Sequence, residues 1–259
     1  MNQALVLNYH LIDNHQYPFD SFGGIYAVSI EQFKAQLALL QKFKIPVVSL
    51  SDILNSKIQD PFCVALTFDD GNPSDFETVF PILQEFGYTA TFFLSIQNIG
   101  QQGVTWEKYL EMIRRGMHVG SHGVTHCDLT VLSNEKVRFE LMESKKRIEE
   151  NLGIEIMFFS FPFGRTNSVI NKIANELGYS NVLTTRFAFI NPSENHIEWG
   201  RWSIKRGTTL KQFSSIIQRK PLSILKLQWL SGIKKMVIDR VGLKWINRIN
   251  TFLKRIKKI

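Results

Sequence analysis

Cysteine is nearly absent. The 259 residues hold two, Cys63 and Cys127, so at most one disulfide can form and no cross-linked scaffold carries the fold. Such sparse use suits a reducing compartment as well as an oxidising one. The opening MNQALVLNYHLIDNH has neither a basic n-region nor a long apolar h-region. It reads as a first strand rather than a secretory signal, and a cytoplasmic location is the expectation. Long hydrophobic runs are missing too, so a membrane-spanning helix is not expected. There is no internal repeat and no low-complexity segment. Acidic residues are scarce in one region only. Residues 219–259 carry twelve Lys and Arg against the single acid Asp239, a net +11, while the other 218 residues hold nineteen basic and 22 acidic groups. The overall +8 therefore belongs to the tail and not to the main body.

What is present is alternation. Leu5–Tyr9, Pro46–Leu50, Phe62–Phe68, Tyr88–Leu94, Met117–Gly120, Ile156–Phe161, Asn181–Thr185 and Trp202–Lys205 have strand character. Helical patterns fill the intervals: Ile30–Phe43 with Ser29 as N-cap, Asp75–Phe86, Thr105–Arg115, Ser133–Leu152 and Thr166–Leu177. Alternation of this kind predicts a parallel sheet with crossover helices. With this many strands, a distorted (β/α) barrel of about seven parallel strands is the expected fold. The barrel covers residues 1–218 and is followed by a basic amphipathic helical extension at 219–259.

Chemistry in such folds gathers at the C-terminal ends of strands. The stretch VALTFDDG, residues 64–71, ends an apolar run in two adjacent acids, Asp69 and Asp70. Two neighbouring carboxylates repel unless something cationic sits close by. SHGVTH, residues 121–126, places His122 and His126 four apart. On one turn of helix that spacing puts both imidazoles on a single face, within reach of one ion, and an Asp would complete a three-ligand set with a position left for water. A divalent ion would let both acids stay ionised. Each signal alone has a plainer reading, DDGNP as a turn and HxxxH as surface or cap chemistry. Their joint occurrence at strand ends is what points to a site.

These motifs resemble those of the polysaccharide deacetylases, carbohydrate esterase family four. Thr67–Gly71 matches the TFDDG motif. His122-Gly123-Val124-Thr125-His126 matches H-[ST]-x-x-H in both histidines, with Gly123 in the hydroxyl position. Phe161-Pro162-Phe163-Gly164 looks like the Pro-aromatic-Gly of the third motif. Asn8-Tyr9-His10 and Arg201-Trp202-Ser203-Ile204 resemble the exopolysaccharide and surface-glycan branch. The resemblance covers roughly residues 4–217. It implies that Asp70, His122 and His126 bind a divalent metal, most often Zn2+, that Asp69 is the general base, and that the main-chain N–H of Phe163 helps to hold the oxyanion. Two departures stand out. Ser160 occupies the position of the motif's usual base-orienting arginine, for which Arg201 is the candidate substitute. No histidine follows His196 to serve as the final-motif acid, which leaves His10 as the candidate at the mouth. The implied reaction is removal of an N-acetyl group from an amino sugar in a glycan or lipid-linked precursor. An O-acetyl esterase or deformylase on a sugar, or a decayed glycan-binding protein, are the alternatives.

In the tail, Leu230, Ile233, Val237, Val241, Trp245, Ile249, Phe252 and Ile256 recur at spacings of three and four among Lys and Arg. This predicts a basic amphipathic helix, either packed with a solvated basic face or seated on an anionic membrane through residues 222–259. The latter would make the protein peripheral at the inner face. Nucleic acid suits so wide an apolar stripe poorly.

Overall fold

Residues 2–13, 22–101 and 104–229 are described in the computed structural model. Among them lie ten strands: β1 (Gln3–Tyr9), β2 (Leu11–Asp13), β3 (Ala27–Ser29), β4 (Phe62–Asp70), β5 (Thr91–Leu94), β6 (His118–Ser121), β7 (Phe158–Ser160), β8 (Asn181–Leu183), β9 (Glu198–Trp199) and β10 (Trp202–Ser203). Eight form one sheet in the order β10-β1-β4-β5-β6-β7-β8-β9, while β2 and β3 pair separately. Every pairing within the large sheet is parallel. Strands β9 and β10 sit at opposite edges, yet only Gly200 and Arg201 separate them in the chain. Three Cα steps span no more than about 11 Å, so the sheet curls until its edges nearly meet. This is the distorted barrel expected from the alternation.

The curl explains why the strands read as unbroken apolar runs. Both faces are buried, one inside the barrel and one beneath the helices. Ala4, Val6, Cys63, Ala65, Phe93, Phe158, Leu183 and Trp199 form the inner core. On the outer face Tyr9, Phe68 and Phe92 stack in a row at 5.3 and 5.0 Å between ring centroids, and Phe33 meets Tyr9 edge-on. Phe33 comes from the helix Ile30–Lys42, whose N-cap Ser29 accepts a hydrogen bond from Gln32 N–H at 3.1 Å. Glycine is required where the last strand crosses the barrel seam. A Cβ at Gly200 would collide with the Arg186 carbonyl oxygen and lie 2.7 Å from Ala188 Cβ.

Two local expectations change. Pro46–Leu50 is not a strand: it makes one bridge, Val47 to Val64. Its last residue already begins the helix Leu50–Leu54, which Ser49 and Asp52 close in a capping box. Asp75–Phe86 is helical, but its first turn, Asp75–Val79, is a π-helix.

The chain divides into two compact units, Met1–Gln218 and Arg219–Ile259. In the second, residues 221–229 are helical, and Leu222, Leu225 and Trp229 are exposed. The proposed amphipathic stripe, which begins at Leu230, lies outside the described residues. No helix among the described residues is long and apolar enough to cross a membrane.

Candidate active site

Strand β4 carries both acids to its C-terminal end. Successive side chains of a strand face opposite sides. Asp69 therefore points inward with Thr67, and only Asp70 needs an unusual backbone to share its surroundings. Asp70 supplies it with φ 85°, a left-handed conformation that Asp tolerates better than most residues. Asparagine side chains hold the turn. Asn72 donates to the carbonyls of Asp69 (3.1 Å) and His10 (3.3 Å), and Asn98 donates to that of Asp70 (2.8 Å).

Asp69 is buried, and its counterion is a fully buried arginine. Arg201 Nη1 and Nη2 donate to the two carboxylate oxygens at 2.8 Å each. Ser160 Oγ donates to Oδ2 at 3.1 Å and accepts from Arg201 Nη2 at 2.8 Å. The guanidinium also donates to Thr67 Oγ1 and to the Thr184 carbonyl, both at 3.2 Å. Burial would raise the Asp69 pKa. The Arg201 charge and hydrogen bonds outweigh it and hold the carboxyl below the usual range. This corrects the reading in which a divalent ion keeps both acids ionised: Asp69 has its own cation. The serine at the motif position and the arginine 41 residues later act as one group on the same carboxylate.

Asp70 faces the imidazoles. Its Oδ1 lies 3.3 Å from His122 Nε2 and 3.1 Å from His126 Nε2. One ligand atom from each of the three residues falls within 4.8 Å of the others. The pair does not stand on a helical turn as the i, i+4 spacing suggested. After Ser121 the chain is a loop, bent by left-handed Gly123 (φ 85°) and His126 (φ 53°). His122 Nδ1 lies 2.7 Å from the Ser160 carbonyl. A carbonyl can only accept, so Nδ1 carries the proton and a neutral ring turns its Nε2 lone pair toward Asp70. Asp70 Oδ1 is buried and takes no well-directed hydrogen bond. Acceptor therefore faces acceptor, an arrangement that a cation between them relieves. Without such a cation the acids would draw a proton onto the ring instead. Burial favours a neutral His122, but Asp69 and Asp70 overcome it and raise its pKa. Asp70 is held well below the usual carboxylate range, since the imidazoles outweigh its burial. The donor set of two nitrogens and one carboxylate fits a divalent transition metal such as zinc.

His10, at the end of β1, is also drawn into this mouth. Its Nδ1 is buried without a hydrogen-bond partner, and its ring leans on Tyr26 at 4.5 Å. Burial holds its pKa below the ordinary imidazole value, against the pull of Asp70 and Asp69. Phe163 stands on the far side of His126, ring centroids 5.2 Å apart. It is half-exposed and has φ 60°. Three of the six non-glycine residues with positive φ among the described residues, Asp70, His126 and Phe163, thus cluster here, as strained backbone does at functional sites. Cys127 follows a candidate ligand but is a free thiol outside the cluster. Sequence reasoning missed Glu140, whose buried carboxylate braces the histidine loop. The available signal was an acid on the buried face of a helix.

The sequence profile of the polysaccharide deacetylase family matches residues 56–182. YxkH of Bacillus subtilis (strain 168), assigned by name to the same family, is 28% identical over 157 residues, 60% of this chain and 56% of that protein. The poly-β-1,6-N-acetyl-D-glucosamine N-deacetylase of Staphylococcus aureus (strain MRSA252) is 26% identical over 211 residues, 69% of this chain and 72% of that one. The crystal structure of a polysaccharide deacetylase from Bacillus cereus superposes with a TM-score of 0.73 at 26% identity, over 83% of this chain and 69% of that chain. The match to the polysaccharide deacetylase family thus extends over just under half of the chain, and a poly-β-1,6-N-acetyl-D-glucosamine N-deacetylase is among its relatives. The chain spans little more than half the length of YxkH.

Proposed function

We propose that the protein is a metal-dependent N-deacetylase of an acetamido sugar within a glycan or a lipid-linked glycan precursor. The observation that carries this reading is the convergence of Asp70, His122 and His126 on one point, beside an ionised Asp69 clamped by Arg201. In this reading Asp70, His122 and His126 hold a divalent ion, most suitably Zn2+. Such an ion supplies Lewis-acid polarisation of the amide carbonyl and acidifies the attacking water.

The chain's own residues do the rest. Asp69, fixed in place by Arg201 and Ser160, takes the proton from the attacking water. The main-chain N–H of Phe163 donates to the oxyanion as the carbonyl becomes tetrahedral. His10, which burial keeps neutral, takes over the proton that Asp69 removed from the water and delivers it to the leaving nitrogen, so Asp69 ends ionised again. Acetate and a free amine result.

The test is release of acetate and amine from N-acetylated oligosaccharides, set against O-acetylated ones and run with and without chelator. Chelator-sensitive amine release supports the reading. Acetate from O-acetyl substrates alone moves the protein to the esterases. The basic tail supports a second part of the proposal, action at the inner face of an anionic membrane, since each Lys or Arg near such a surface contributes about 1 kcal/mol. If deletion of residues 222–259 leaves sedimentation with anionic vesicles unchanged, that part fails.

A further inference from the structure

His122 and His126 hang from a loop whose shape is imposed from outside. Its peptide groups can be followed one by one. His122 N–H donates to the Leu94 carbonyl (2.8 Å), and Gly123 N–H donates to Ser121 Oγ (3.3 Å). The carbonyls of Gly123 and Val124 accept from Ile96 N–H (3.0 Å) and Gln97 N–H (2.9 Å). The next two donors converge on one oxygen. Val124 N–H and Thr125 N–H reach Glu140 Oε2 at 2.7 and 3.1 Å, and the Thr125 hydroxyl donates to Oε1 at 2.6 Å.

Glu140 comes from the middle of the helix Asn134–Leu152, on the buried face with Val137, Leu141 and Ser144, and is 5% exposed. A carboxylate in that position is costly unless its oxygens are bonded. Here two amides and a hydroxyl bond it, and hydrogen bonds to a charged acceptor are the stronger kind. Gly123 makes the approach possible. A Cβ there would sit 3.1 Å from Oε2, and its φ of 85° disfavours other residues. The same loop holds His126 in a left-handed conformation, which is strained and persists only where the surroundings over-determine it.

We infer that Glu140 is a positioning residue for the metal centre. It fixes the backbone from Val124 to Thr125 and so sets where the His126 ring stands relative to His122. The inference rests on the reading of Asp70, His122 and His126 as metal ligands.

The experiment measures Zn2+ affinity of the folded 259-residue chain at about 25 °C, by competition with a chromophoric chelator, beside the thermal midpoint of the metal-free protein. The variants are Glu140→Gln, Thr125→Val and Thr125→Ser. Glu140→Gln should weaken Zn2+ binding by about 10- to 100-fold, the usual range for outer partners of metal ligands. Thr125→Val should weaken it by a smaller factor, and Thr125→Ser, which keeps the hydroxyl, should restore it. If Glu140→Gln fails to fold, the valine and serine pair decides alone. A purely structural role would lower the metal-free midpoint and leave the affinity at the wild-type value. That outcome overturns the inference while the metal reading stands. A wild-type protein that binds no Zn2+ overturns both, and is read separately in the first titration.

Discussion

The site turns on single residues that satisfy one another. Arg201 gives Asp69 both of its hydrogen-bonded oxygens from a fully buried position. Lysine is a point charge without a planar fork and cannot reproduce that pair of bonds. Arg201→Lys should fold and lose about 100-fold or more in kcat, within the range of general-base catalysis. Arg201→Met leaves a buried carboxylate alone and should cost about 3–5 kcal/mol of stability by denaturant unfolding. Equal kcat in Arg201→Lys and wild type would show that orienting Asp69 does not matter. Asp75 tests charge in the opposite sense. It is fully buried, and burial pushes its pKa well above the carboxylate range, against the hydrogen bonds from Tyr109 and Asn72. The folded chain therefore holds a proton that the unfolded chain releases near pH 4. Its contribution is complete below that pH and declines as pH rises through the elevated folded value. Asp75→Asn keeps an acceptor for Tyr109 and Asn72 but cannot ionise. Its plot of Tm against pH should be flatter above pH 4 and lie above wild type at pH 8. Parallel curves would contradict this.

Between residues and the molecule stand the loops and strand ends. Gly200 lets the chain cross from β9 to β10 and deliver Arg201 to the barrel interior. Gly200→Ala drives a Cβ against the Arg186 carbonyl, and overpacking of that kind costs about 1–3 kcal/mol. The variant should melt earlier and also lose kcat, because Arg201 moves with the strand. A lower Tm with unchanged kcat would separate the crossing from the site. The strand ends that carry Asp69, Asp70 and His122 were legible because strand-like runs stop at polar residues, whereas the role of Phe163 rested on the resemblance of Phe161–Gly164 to the third motif. The support of the histidines was not legible. A spacing of four fits a helical turn and equally a loop bent at a left-handed glycine, and it is distant partners, Glu140 together with Leu94, Ile96 and Gln97, that hold the loop. Asp69 and Arg201 lie 132 residues apart, so their pairing depends on the closure of the sheet, which no local pattern encodes. Pro46–Leu50 misled for a related reason. Its apolar residues serve one bridge and a helix start, and periodicity over five residues cannot tell these from a strand.

At the scale of the whole molecule, a parallel barrel brings side chains from β1, β4, β6, β7 and the β9–β10 crossing to one mouth. The shared cationic centre, with ligands from β4 and the loop after β6, is the central claim. It is tested most directly by counting bound zinc per chain in purified wild-type and His126→Ala protein while following amine release from an N-acetylated oligosaccharide. Wild type should carry close to one equivalent, the variant should lose most of it, and wild-type activity should fall when the metal is chelated and return when zinc is restored. Full activity in metal-stripped wild type, or undiminished zinc in the variant, would contradict it.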